Sequence, residues 1–150
     1  MESSASRARV LVVANQTAAT PALIEAVRER AQESPATFTL LVPNPAHGLH
    51  RVVDPEDQDR SEADDVLGRA LPLLQEAAGA PVEGMVGVAE PLAAIQDAVN
   101  LHGFDEIIIS MLPKRVSKWL RLDLPHKAAG LGLPVTAVTA EKVERIPVRA

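Results

Sequence analysis

Short apolar runs rich in β-branched residues alternate along this chain with stretches of helical period, the pattern of a parallel sheet covered by helices on both faces. Residues 9–14 are almost continuously apolar, which suits a strand buried on both sides. Asn15, Gln16 and Thr17 read as a loop. Thr20 and Pro21 then read as the cap and first position of a helix that sets Leu23, Ile24, Val27 and Ala31 on one face and ends near Ser34. Residues 38–42 form the second strand, stopped by Pro43 and Pro45 because proline donates nothing to a ladder. Residues 47–65 lack period and are rich in carboxylates, which predicts a solvated acidic loop. Ser61 or Asp59 caps a helix with Val66, Leu67, Ala70, Leu71 and Leu74 on its apolar face, ending near Gly79. Pro72 lies inside that pattern and predicts a kink or a break.

A weaker strand follows over residues 82–88. Glu90 and Pro91 open a helix that buries Leu92, Ile95, Val99 and Leu101 and closes at Gly103, where glycine accepts a left-handed conformation. Residues 106–110 and 134–139 are the fourth and fifth strands, with the last helix between them. The tail from Val143 to Val148 either extends the sheet edge or crosses to a partner, since an uncovered edge invites pairing and two-fold association is its commonest outcome. This β-α alternation makes right-handed crossovers and a doubly wound α/β sheet the expected topology. Ligands in such sheets sit beyond the carboxyl ends of the strands, so the loops after Ala14, Val88 and Ser110 are the candidates.

Composition narrows the function. At 150 residues and 47% apolar, the chain predicts a single domain over 1–150, with 1–8 and 141–150 as flexible or edge tails. It has no Cys, which excludes a disulfide framework, a thiolate nucleophile and a Cys-ligated zinc. A net charge of −5 and an aromatic content of 2% argue against nucleic-acid binding and against a polybasic membrane anchor. No signal-peptide core opens the chain, and no apolar run approaches the roughly 20 residues of a spanning helix; a cytoplasmic location is expected.

Residues 10–14, the segment Val86-Gly87-Val88-Ala89-Glu90-Pro91 and the run Phe104-Asp105-Glu106-Ile107-Ile108-Ile109-Ser110 together resemble the universal stress protein family, over roughly residues 9–139. The resemblance implies a three-layer α/β sandwich of the adenine-nucleotide-hydrolase-like kind, with a five-stranded parallel sheet in the order 3-2-1-4-5. One branch of that family binds ATP through a Gly-x2-Gly-x9-Gly-Ser/Thr loop after the fourth strand, whose glycines let backbone amides approach phosphates. Laid on that spacing, this chain has Ser110, Pro113 and the pair Asp123-Leu124, so all four positions differ. Proline removes a donor and Asp123 brings a carboxylate to the place of a phosphate. An Asp that ends the first strand in the family corresponds to Asn15. The chain is thus similar to the branch without the ATP loop, which implies a non-enzymatic stress-response or regulatory module, acting as a homodimer without a tightly held cofactor. The alternative is a degenerate site for a weakly bound adenine nucleotide or a small anion, with weak hydrolysis.

The residues expected to line any ligand site are Asn15, Ser110, Lys114, Arg115 and Lys118. Residues 114–127 hold five Lys or Arg and one Asp, a local charge of +4 in an acidic chain. That patch is an anion site, a solvated helix face, or a surface meeting the acidic stretch 54–65 of its own or a neighbouring chain. Asp123 before Leu124-Pro125 reads as a helix N-cap, and Trp119 as a packing anchor. His47 and His50 have the spacing of metal ligands with Asp54, but no third ligand stands on a rigid element, so no metal is expected. No Gly-x-Ser-x-Gly elbow surrounds Ser110, and the glycines form no dinucleotide fingerprint; no catalytic residue is assigned.

Overall fold

The computed structural model describes residues 7–14, 18–43, 55–88, 90–111, 119, 123–140 and 142–147, with the side chains of 55–63 left aside. Its elements are β1 (Ala8–Val13), α1 (Pro21–Glu33), β2 (Ala36–Pro43), α2 (Pro55–Ala78), β3 (Val82–Gly87), α3 (Pro91–His102), β4 (Glu106–Ser110), α4 (Leu124–Ala129), β5 (Val135–Val138) and β6 (Val143–Ile146). The sheet order is β3-β2-β1-β4-β5-β6. The first five strands are parallel in the expected order, and β6 adds antiparallel to β5, pairing Val135 with Ile146 and Val138 with Val143. The tail segment therefore extends its own sheet.

Alternation along each strand splits the core into two layers. Val10, Val12, Phe38, Leu40, Val42 and Ile108 face the side of α1 and α2, with Leu23, Val27, Ala70 and Leu74 packed against them. Leu11, Val13, Leu41, Ile107 and Ile109 face the opposite side, under Ala94, Ile95 and Ala98 of α3 and Leu124 and Ala128 of α4. Continuous apolar runs were needed because both faces of β1 and β4 are dry.

Four expectations are corrected. The acidic stretch is not a loop throughout, because α2 already begins at Pro55; carboxylates in the opening turns suit the positive end of a helix, so polarity alone does not unmake it. Pro72 neither breaks nor interrupts α2. The carbonyl it leaves without a partner belongs to Gly68, and both residues are exposed, so water replaces the lost bond. Pro43 does not stop β2 but is its last residue, aligned with Gly87. Leu101 is not buried by α3, being 76% exposed; it sits one turn past the stripe of Ala94, Ile95 and Ala98.

Two glycines of β3 make a stability prediction. A Cβ on Gly87 would lie 2.8 Å from Ala94 Cβ and 3.0 Å from Leu41 Cδ1, so the first turn of α3 rests on the bare backbone there. At Gly84 the nearest atoms are the δ-methyls of Leu67 and Leu71, at 2.8 and 3.0 Å, which can swing away. Gly87→Ala is expected to destabilise by about 1–3 kcal/mol, and Gly84→Ala by within about 0.5 kcal/mol. Urea unfolding of the two variants checks this; equal effects would mean α3 is free to lift off β3.

Candidate functional site

Strand order reverses between β1 and β4, which makes the crevice beyond their carboxyl ends the topological switch point. The register aligns Val13 with Ile109, setting Ala14 beside Ser110 at that edge. Ser110 is 2% exposed, the single polar residue among the buried ones described. The backbone N–H of Met111 donates to the Val138 carbonyl at 2.8 Å, tying the exit of β4 to β5. Of the five expected site residues the structure describes only Ser110. Asn15, Lys114, Arg115 and Lys118 lie outside the described residues, as do Pro113, His47, His50 and Asp54.

Of the helices that follow strands at this edge, α1, α3 and α4 have an oxygen-bearing side chain at the N-cap position. Thr20 Oγ1 accepts from the Leu23 N–H of α1 at 3.5 Å. Glu90 accepts from the N–H groups of Ala93 at 2.8 Å and Leu92 at 3.4 Å, so its carboxylate sits on the positive end of α3. Before α4 the expected cap is corrected: Asp123 occupies the N-cap position, but its side chain makes no capping hydrogen bond. Its Oδ1 instead lies 2.8 Å from His126 Nδ1, on the exposed side of the same turn. The backbone explains the change. Asp123 has φ 57° and ψ 44°, the one non-glycine residue with positive φ among those described, and from the left-handed region its carboxylate does not reach the N–H groups of the next turn.

That left-handed residue falls where the glycine-loop spacing has its last glycine. Asp123 thus adopts a conformation that glycine takes at little cost, while carrying a carboxylate. The following position, which carries a hydroxyl in the ATP-binding pattern, is Leu124, 2% exposed and built into the core under α4. Trp119 is half-buried against the same cluster, which makes it a packing residue.

A cleft among the described residues lies at the opposite, amino-terminal end of the strands, between α1 and the β5–β6 ladder. Ala26, Arg30, Glu106, Ile108, Val143 and Arg145 line it. Two ion pairs cross it: Arg30 Nε with Glu106, and Arg145 with Glu33 at 3.0 Å. Sequence reasoning missed both pairs, since nothing local marks partners 76 and 112 residues apart. The Asp123–His126 pair was within reach as an i, i+3 spacing. Among the described residues, no group of three His, Asp or Glu side chains is placed to hold a metal, and no helix is long and apolar enough to cross a membrane.

No family model matches the chain, and no curated protein sequence matches it. Solved structures do. A universal stress protein from Archaeoglobus fulgidus superposes with a TM-score of 0.64 at 21% identity, over 90% of this chain and 96% of that one. A universal stress protein from Archaeoglobus fulgidus in complex with dAMP gives 0.61 at 23% identity, over 88% and 97%. The universal stress protein UspA from Lactobacillus plantarum gives 0.65 at 20% identity, over 89% and 99%. The described architecture, with its parallel order 3-2-1-4-5 and one added antiparallel strand, is thus the fold of the universal stress proteins.

Proposed function

We propose that this chain is a cytoplasmic, non-enzymatic regulatory or stress-response module that acts as a homodimer and does not bind ATP tightly. The observation that carries this reading is the placement of Glu90 and Asp123. Both bring carboxylates to helix starts at the carboxyl edge of the sheet, where a phosphate chain would need N–H groups and a positive partial charge. Glu90 already takes two of those donors on α3. Leu124 supplies no hydroxyl, and its side chain belongs to the core.

The second reading, a degenerate adenine-nucleotide or small-anion site, is favoured by one finding: a protein of the same fold is known in complex with dAMP. In that reading Asn15, Ser110, Lys114, Arg115 and Lys118 hold the ligand. Calorimetric titration with ATP and Mg²⁺, and separately with dAMP, decides between them, with Trp119 emission followed in parallel. The expected result is no saturable heat and no change in emission up to millimolar nucleotide. Saturable micromolar binding, about −8 kcal/mol, would overturn the first reading; its loss in a Lys114→Ala/Lys118→Ala double variant would establish the second.

A further inference from the structure

The two edges of the sheet differ in what they offer a second copy of the chain. Among the described residues, β3 and β6 each have one side without a strand partner. Two copies joined edge to edge about a two-fold axis normal to the sheet must place one residue opposite itself. Directly opposed side chains then share a face. On β6 the two registers centred inside the strand oppose Glu144 to Glu144 or Arg145 to Arg145, both exposed, and like charges directly opposite are unfavourable. Registers centred on its ends pair little of a four-residue strand.

On β3 the pattern is complementary to itself. Glu83 is the single charged residue of Val82–Gly87, and the strand holds no proline or lysine to blunt it. An axis at Met85 opposes Val82 to the partner's Val88, Glu83 to the partner's Gly87, and Gly84 to the partner's Val86. Each glycine then faces a larger side chain, and no like charges meet. Axes at Glu83 or Gly84 set two carboxylates or two bare backbones face to face, and one at Val86 shortens the overlap. The valines that this pairing covers are exposed for apolar residues, Val86 by 39% and Val88 by 49%. Leu67 and Leu71 of α2, half-buried over Gly84, continue the same apolar rim.

We propose that β3 is the dimer interface, with two copies pairing antiparallel about a two-fold axis at Met85 to make one continuous sheet. This deepens, and rests on, the homodimer reading above. The absence of Cys permits a register-specific test, because a single introduced thiol forms an intermolecular disulfide only where it faces itself. Mild oxidation is expected to convert Met85→Cys to a covalent dimer and to leave Glu83→Cys, Glu144→Cys and Arg145→Cys monomeric on non-reducing gels. Val86→Lys, at an exposed position, is expected to raise the dimer dissociation constant about tenfold or more in sedimentation equilibrium. A wild-type chain that stays monomeric at about 100 μM, near the weak end of specific pairing, would overturn both this interface and the homodimer. A dimer that cross-links through Glu144→Cys or Arg145→Cys, or through none of the four, and that ignores Val86→Lys, would keep the homodimer and overturn β3.

Discussion

Leu124→Ser should lower stability by about 3–5 kcal/mol, from the lost transfer and cavity terms and a hydroxyl placed in apolar surroundings. For a domain of this size that is a fall in thermal midpoint of about 6–20 °C. Leu124 is 2% exposed and belongs to the core cluster that holds Ala128, Ile109 and Ala137, so the surroundings offer the new hydroxyl little but carbon. The neighbouring change Asp123→Gly should be close to neutral. It relieves about 1–2 kcal/mol of left-handed backbone cost, but adds about 0.5–1 kcal/mol of unfolded-chain entropy and removes the exposed contact with His126. Thermal unfolding of the two single variants reads this contrast. Loss of less than about 1 kcal/mol at Leu124 would mean that α4 is loosely docked and that its first turn is available to a ligand after all. The two adjacent positions thus separate a left-handed bend at Asp123 from a core side chain at Leu124, where the ATP-binding pattern has a hydroxyl.

The fold was legible because burial on both sides of a sheet leaves a plain signature. Residues 10–13 and 107–109 are apolar without interruption, and both runs are central strands with sides in two different cores. Caps were legible where side chain and backbone agree, as at Thr20 and Glu90. At Asp123 they disagree, and residue preference could not foresee a left-handed φ. The opening turns of α2 escaped notice because periodicity detects a buried stripe, and a run of carboxylates shows none. Pro72 misled for the related reason that its penalty depends on whether the orphaned carbonyl meets water, a fact of tertiary placement. Of the candidate site, Ser110 is the single expected ligand residue whose surroundings are described. The amino-terminal cleft was invisible, since its ion pairs join residues from three distant elements.

Breaking the pair between Arg30 and Glu106 should be the most damaging charge deletion among the described residues. The Arg30 and Glu106 side chains are 14% and 25% exposed, against 73% and 47% for Arg145 and Glu33. Arg30 also donates through Nη1 to the Ser34 hydroxyl at 3.1 Å and to the Ser34 carbonyl at 3.3 Å, closing the end of α1. One side chain therefore ties the last turn of α1 to the first residue of β4, across the cleft. Glu106→Ala leaves that cation short of a partner in a largely enclosed place, which typically costs about 3–5 kcal/mol when burial is complete; partial exposure brings the expectation to about 2–3 kcal/mol. Glu33→Ala, which strands only an exposed arginine, should change stability by about 0.5 kcal/mol or less. Urea titrations at low salt and at 1 M NaCl test the assignment, because screening should erase the small effect and spare most of the large one. If Glu106→Ala proves as mild as Glu33→Ala, water reaches Arg30 freely and the cleft is an open surface groove. If the large loss is found, the double variant Arg30→Met/Glu106→Leu should recover much of it, since an apolar pair of similar volume removes both charges together and leaves neither stranded.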